Sequence, residues 1–181
     1  MGESSIRVIP RRTEGVLSAI SVGVFFLLVG AIFVVNSPPN QINLWDRIVH
    51  FLSNFDIWQV GSLSVYLPAP VNPLSHSAVY LAAEQFCFVW GLFQIIILAI
   101  RFAARSPLTK KAEAISSIVF WIGTSFLISN FLLDTRWTEV YSGSLNPALT
   151  VWFVFWSIVI MLLGISLIIR AIVLAVGPKK A

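Results

Sequence analysis

LTVWFVFWSIVIMLLGISLII, residues 149–169, is a run of 21 residues without one charged side chain. An α-helix that crosses a hydrocarbon layer of about 30 Å needs about 20 such residues. Three further apolar stretches of similar length, residues 16–35, 77–100 and 114–133, precede it. The sequence therefore predicts four membrane-spanning helices.

The composition favours the same class of protein. The chain is 57% hydrophobic and only 11% charged, whereas soluble domains contain about 25% charged residues. A backbone that faces lipid must satisfy its own hydrogen bonds, and the four stretches lack the strict alternation of barrel strands. We therefore expect an all-α integral membrane protein: a four-helix transmembrane bundle that forms a single membrane domain over residues 1–181.

The basic residues predict the orientation. Ten of the 12 Lys and Arg residues lie before the first stretch, between the second and third, or after the fourth: Arg7, Arg11, Arg12, Arg101, Arg105, Lys110, Lys111, Arg170, Lys179 and Lys180. Cytoplasmic loops carry the excess of Lys and Arg. Both termini are therefore predicted to be cytoplasmic in a multi-pass protein of the plasma membrane. Anionic lipid at the cytoplasmic face is a sufficient partner for this charge, and no pattern of a nucleic-acid site is present.

The first stretch also resembles the hydrophobic part of a cleaved signal peptide, because Arg11 and Arg12 precede it. Its apolar run of 20 residues exceeds the roughly 7–15 residues typical of such signals. No Ala-x-Ala-like cleavage site follows it. A retained membrane anchor is the preferred interpretation.

The long connection between the first two stretches, residues 36–76, contains apolar residues at helical spacing. The pattern predicts an external amphipathic helix from about Asn43 to Trp58, lying along the outer membrane surface or capping the bundle. Residues 60–67 alternate imperfectly and prolines follow, which predicts a short extended piece and a rigid loop.

Glu84 is the one acidic residue well inside a predicted span, about 10 Å below its outer end at 1.5 Å per residue. Ionisable groups at such depth usually face protein or water. Counting from the span ends, the predicted hydrogen-bond partners are Ser129, Asn130 and Ser157. Glu84 is interpreted either as a proton or cation site or as a structural link between two helices, and the structural interpretation is preferred because no second deep acid accompanies it.

Two of the stretches carry residues suited to helix packing. The third contains six hydroxyl or amide side chains, which predicts that it lies inside the bundle: Ser116, Ser117, Thr124, Ser125, Ser129 and Asn130. Ala19, Gly23 and Gly30 of the first stretch offer a surface that another helix can approach closely.

Interfacial anchors are predicted from aromatic and basic side chains near the ends of the spans. Tryptophan rings favour the boundary between lipid and water, and the long Arg side chain can reach lipid phosphates. The predicted anchors are Trp45, Trp58, Trp137, Trp152, Trp156 and Arg170.

No sequence motif for a catalytic site, a cofactor or a metal is present, and Cys87 is the only cysteine. The first hypothesis is a non-enzymatic scaffold or accessory subunit of a membrane complex, self-associated or bound to another membrane protein. The alternative is a small oligomeric transporter or channel for protons, cations or a small solute that uses Glu84 and the polar third span. A weaker alternative is a lipid-modifying enzyme, for which only His50, Asp56 and His76 of the outer region could serve.

Overall fold

The computed structural model describes residues 11–39, 42–60 and 65–176, without the side chains of residues 11–14. Arg7, Lys179 and Lys180, which entered the orientation argument, lie outside these ranges. The described chain is mostly helical. In order along the chain, its elements are α1 (Arg11–Val35), α2 (Leu44–Ser53), β1 (Phe55–Gln59), β2 (Tyr66–Pro70), a 3₁₀ turn (Pro73–His76), α3 (Ser77–Ala103), α4 (Leu108–Leu127), a π turn (Ile128–Leu133), α5 (Arg136–Val140) and α6 (Pro147–Val176).

The prediction of four long apolar helices is confirmed. Within the described ranges, the four segments long and apolar enough to cross a membrane are Gly15–Val35, Pro73–Ala103, Leu108–Leu133 and Pro147–Val176. The second, third and fourth extend beyond the predicted limits. We call the end of these helices that carries α2 and the two strands the hairpin side, and the opposite end the terminal side.

The core is formed by α3, α4 and α6, with α4 packed between the other two. Two glycines allow the close approach. A Cβ atom at Gly91 of α3 would lie 2.6 Å from Cγ1 of Ile122 in α4, and one at Gly123 would lie 2.7 Å from Cδ2 of Leu162 in α6. Small residues at such positions bring helix backbones together in membranes. The core is therefore a three-helix arrangement.

The first helix, α1, flanks this core and packs chiefly against α3. The Phe25 ring lies edge-on to the rings of Phe86 and Trp90, at 5.6 Å from each. Nδ2 of Asn36 donates a hydrogen bond of 2.9 Å to Oε1 of Gln85. The four long helices thus do not contribute equally to the interior.

The predicted amphipathic helix over residues 43–58 is too long. Helix α2 begins at Leu44, where Asn43 caps it by accepting a hydrogen bond from the Asp46 amide, and ends at Ser53. Residues 55–59, Phe-Asp-Ile-Trp-Gln, form β1 instead. Aromatic and β-branched side chains suit a strand. Phe55 nevertheless follows Phe51 and Leu52 at helical spacing, so the apolar pattern alone does not show where the helix ends.

The two strands form an antiparallel hairpin. The sequence predicted an all-α protein with one short extended piece, and did not predict a paired strand at residues 55–59. Pro68 lies opposite Ile57 and Pro70 opposite Phe55. Backbone hydrogen bonds flank the ladder at both ends, from Val60 N to Val65 O and from Val71 N to Asn54 O. Hydrogen-bonded and non-hydrogen-bonded pairs alternate along an antiparallel ladder. Counting inward from these bonds places both prolines at non-hydrogen-bonded positions. The prolines therefore remove no hydrogen bond from the hairpin.

Phe51 attaches α2 to the membrane helices. Its ring contacts those of Phe55, His76, Tyr80 and Trp152, with centroids 5.1, 5.0, 5.8 and 6.3 Å away. These partners come from β1, the 3₁₀ turn, α3 and α6. One aromatic side chain therefore joins the hairpin-side structure to two of the core helices.

Candidate functional site

Glu84 lies on α3, half-buried, and its carboxylate reaches α4. Ser125 Oγ donates a hydrogen bond of 3.1 Å to Oε1 of Glu84, and the Ser125 side chain is buried. Ser125 was predicted only as one of the polar residues of the third span. It lies eight residues before the end of the π turn at Leu133, and Glu84 seven residues after the start of α3 at Ser77. The two residues therefore lie at similar distances from the hairpin-side ends of their helices, but only the packing of α3 against α4 brings their side chains together.

The other three residues of the predicted polar site do not hydrogen-bond to Glu84. Nδ2 of Asn130 donates to the Phe126 carbonyl at 2.8 Å, and Oγ of Ser157 donates to the Phe153 carbonyl at 2.8 Å. Both bonds stay within one helix. Ser129 is exposed on the π turn.

Three of the predicted anchors are exposed. Trp45 lies on α2 and is 60% exposed, and Trp156 lies on α6 and is 46% exposed. Arg170 is exposed on α6, six residues before the end of that helix at Val176. These exposed positions suit contact with lipid.

The other three predicted anchors pack against protein. Trp152 is buried in the core, and the Trp137 ring stacks on that of Phe131 with centroids 4.6 Å apart. Trp58 lies on β1 rather than at the end of a helix, and its buried Nε1 has no hydrogen-bond partner in the described part of the chain. Their rings contribute to packing in addition to any contact with lipid.

A polar cleft of about 460 Å³ lies between α2 and the start of α3. The rings of His50 and His76 meet there with centroids 5.6 Å apart, and Asp46 also lines the cleft. Asp56 does not line it; its Oδ1 accepts a hydrogen bond from the Ile57 amide. Across residues 11–39, 42–60 and 65–176, no group of three or more His, Cys, Asp or Glu side chains is arranged to hold a metal ion.

An open apolar cavity of about 500 Å³ lies on the hairpin side, bordered by α2, the hairpin, α3, α4 with its π turn, and α6. Its floor is made of six buried side chains: Tyr80, Ile128, Leu132, Trp152, Phe155 and Val159. Its exposed rim is made of Phe55, Leu67 and Pro68 from the hairpin and Trp156 from α6. The sequence did not predict this cavity, although residues 152–156 form a dense aromatic run that suggests a broad apolar wall.

Among the described residues, Tyr80 and Thr124 are the two that contribute hydroxyl groups to the walls of this apolar cavity. Tyr80 Oη donates a hydrogen bond of 2.6 Å to the Pro73 carbonyl. Thr124 Oγ1 is buried and has no hydrogen-bond partner within residues 11–39, 42–60 and 65–176. The chemistry of the cavity is therefore that of hydrocarbon, with one hydroxyl available for a further bond.

The side of α1 that points away from α3 has no close protein neighbour in the described segments. We call this surface the free face of α1; it consists of Ala19, Gly23, Phe26, Gly30 and Phe33, all exposed. A Cβ atom added at Gly23 or Gly30 would meet no atom within 4 Å. The predicted close-packing surface of the first span thus lies on the outside of this chain.

Comparisons with protein-family models, with curated protein sequences and with solved structures find no match to this chain.

Proposed function

We propose that the protein is a non-enzymatic scaffold or accessory subunit of a membrane complex, and that α1 is the helix that contacts the partner. The observation that supports this most directly is the free face of α1. Residues 19, 23, 26, 30 and 33 are separated alternately by four and three positions, which is the spacing of a seam between two helices. Two of the five are glycines without a neighbour.

The physics of a bilayer gives this spacing a use. Lipid tails are as apolar as leucine, so helices associate in membranes through close packing rather than through burial of apolar surface. Glycine lowers the helix propensity by about 1 kcal/mol relative to alanine. Close approach of another helix backbone would offset this cost and explain two glycines on one helix surface. The partner presents one transmembrane helix and is a second copy of this chain or another membrane protein.

We further propose the plasma membrane as the location, with both termini in the cytoplasm. The support is the cluster of cations around the turn between α3 and α4, formed by Arg101, Arg105, Lys110 and Lys111. Lys110 is paired with Glu113 at 3.0 Å, and Lys111 lies 4.5 Å from the centroid of the Phe102 ring. Such a cluster favours the cytoplasmic side and attracts anionic lipid.

The two alternatives receive less support. Glu84 lines neither of the two cavities and has a partner on the neighbouring helix, an arrangement that suits a link between helices better than a transport pathway. A lipid-modifying enzyme would need His50, Asp56 and His76 in one place, and only the two histidines share the polar cleft.

Leucine substitutions on the free face of α1 test the proposal. Gly23→Leu and Gly30→Leu place a branched side chain where the partner backbone is expected. Gly164→Leu is the matched control, because Gly164 lies on α6 and a Cβ there also meets no atom within 4 Å. Each variant is extracted from its native membrane in mild detergent, and the mass of the complex is measured by light scattering together with the proteins that co-purify.

We expect the wild type and Gly164→Leu to elute as the same complex, and both α1 variants to elute as the single chain. A complex of two copies would identify self-association, and a second protein lost only from the α1 variants would identify a heteromeric partner. The proposal is wrong if the wild type is a single chain with no partner, or if the α1 variants retain the complex.

A further inference from the structure

We propose that the apolar cavity binds one acyl chain of a phospholipid from the leaflet on the hairpin side. The cavity is distinct from the free face of α1, since no residue of α1 lines it. This binding site would give the protein a contact with an individual lipid in addition to the surrounding bilayer.

The walls favour hydrocarbon over water. A buried water molecule needs two to four polar partners, whereas Tyr80 already uses its hydroxyl proton in a bond to Pro73. Among the described residues, the other polar groups of the lining side chains are the Thr124 hydroxyl, which has no partner, and the indole N–H groups of Trp152 and Trp156. These few groups cannot hydrate a space of about 500 Å³.

The size of the cavity suits a chain. An apolar cavity of about 150 Å³ is enough for a benzene molecule, and sites for larger ligands range from about 300 to 1,000 Å³. The cavity volume of about 500 Å³ falls within the second range. It accommodates an extended run of methylene groups rather than one small ring.

The rim places the opening in contact with lipid. It combines Phe55, Leu67 and Pro68 on one side with Trp156 on the other, and all four are apolar or aromatic. Trp156 lies nine residues after the start of α6 at Pro147, or about 13 Å along the helix. This depth falls within one leaflet of a hydrocarbon layer of about 30 Å. An acyl chain can therefore enter sideways without leaving the membrane.

Thr124 adds a polar feature to the site. A threonine in a helix commonly donates its hydroxyl proton to the carbonyl four residues earlier, and Thr124 makes no such bond here. Thr124 lies nine residues before the end of the π turn at Leu133, or about 13 Å along the helix. Its hydroxyl therefore lies at the depth of the acyl chain, below the level of the ester groups.

Photolabelling in lipid nanodiscs tests the site. The full-length protein is reconstituted in phosphatidylcholine that includes a fraction with a diazirine in the middle of one acyl chain, and labelled residues are located by mass spectrometry after illumination. Buried floor residues Ile128, Phe155 and Val159 are the informative positions. Labelling of Phe26 on α1, which is 68% exposed, measures contact with the surrounding lipid.

Ala83→Leu is the variant that fills the cavity from α3, and Val159→Phe fills it from α6. Ala99→Leu is the control, because Ala99 is an exposed alanine on the same helix as Ala83 and does not line the cavity. We expect floor labelling to fall by roughly tenfold in either filling variant, the loss expected when about two methylene groups are displaced. Labelling of Phe26 and the behaviour of Ala99→Leu should not change.

Two results would overturn the proposal. The first is floor labelling in the wild type that is no higher than the background in an unilluminated sample. Floor labelling that persists in a filling variant with the elution volume of the folded wild type counts equally against the proposal. The second is loss of floor labelling on addition of a long-chain isoprenoid alcohol but not of excess unlabelled phosphatidylcholine, which would assign the cavity to a different lipid class.

Discussion

Glu84 and Ser125 lie 41 residues apart in the chain and share one hydrogen bond of 3.1 Å between α3 and α4. A glutamine at position 84 keeps an oxygen that can accept this bond, and a leucine does not. We expect Glu84→Gln to leave the free energy of unfolding nearly unchanged and Glu84→Leu to lower it by about 0.6–1.7 kcal/mol, the range for hydrogen bonds between membrane helices. Reversible unfolding in mixed micelles measures both values.

The same variants distinguish the structural link from transport. Proton flux into liposomes that contain the wild-type protein should equal the flux with Glu84→Gln. A flux that the wild type supports and Glu84→Gln abolishes, with folding intact, would establish the transport alternative and contradict a purely structural role.

Alanine substitutions at three glycines should have different effects. A Cβ at Gly91 meets both the side chain and the backbone nitrogen of Ile122, the latter at 3.3 Å, whereas the three atoms nearest to one at Gly123 all belong to the Leu162 side chain. Backbone moves less readily than a side-chain end, so Gly91→Ala should destabilise the fold by about 1–3 kcal/mol and Gly123→Ala by less. Gly164→Ala, in open space, should stabilise it by up to about 1 kcal/mol. The reverse order in an unfolding assay would contradict the close approach of α3 and α4.

Arg105 ends the turn after α3 with a φ of 52°, a left-handed conformation that costs a side-chain-bearing residue roughly 1–2 kcal/mol. The Ser106 amide donates to the Arg101 carbonyl at 2.9 Å across this turn. Arg105→Gly should therefore raise the free energy of unfolding by about 1 kcal/mol. Arg105→Ala removes the same charge but keeps the strain, and it should give no such gain. Equal effects of the two variants would show that charge, rather than backbone conformation, governs this position.

Phe51→Ala should release α2 from the membrane helices, because this ring makes the aromatic contacts with Tyr80 and Trp152. Hydrogen exchange followed by mass spectrometry should show faster exchange of the α2 amides, with α4 unchanged. Leu52→Ala is the control, since Leu52 is 62% exposed. If α2 exchanges at the same rate in Phe51→Ala as in the wild type, other contacts hold it in place.

Asp134 provides a pH-dependent contact at the end of the π turn. A hydrogen bond from the Arg136 guanidinium, 2.6 Å long, lowers the pKa of the Asp134 carboxyl. A lowered pKa means that the contact stabilises the fold above the ordinary carboxyl pKa of about 3.9 and is lost as the pH falls through the lower value of the folded state. Carboxyl titration by NMR should give a value below the ordinary one. Arg136→Gln should raise the pKa toward the ordinary value without restoring it fully, because the backbone amide of residue 136 still donates to Asp134 Oδ1; no change would contradict the pairing.

The apolar helices could be predicted because each depends on a local property of the sequence. Residues 149–169 contain no charge over a length sufficient to cross a membrane, and this condition does not depend on neighbours. The end of α6 at Val176, seven residues beyond the predicted span, could not be predicted as readily. A helix continues wherever its backbone hydrogen bonds are satisfied, and this can extend past the last residue of the apolar stretch.

The hairpin and the polar pair could not be predicted in the same way. Residues 55–59 keep the apolar spacing of α2, and only their pairing with Tyr66–Pro70 makes them a strand. Glu84 was recognised as an interior polar residue from its depth, but its partner depends on the relative rotation of α3 and α4, which small residues such as Gly91 allow and no periodicity reveals. The cavity combines side chains from seven elements, so it exists only in the assembled fold.

The lateral position of α1 has a consequence for biosynthesis. This helix leaves the ribosome before α3, its main neighbour, which begins 42 residues after Val35, at Ser77. Until α3 is inserted, α1 must remain in the bilayer with lipid alone around it, as the first stage of two-stage membrane folding requires. The uncharged surface of Val16–Val35 meets that requirement, and the free face of α1 is in contact with lipid from the first stage of assembly.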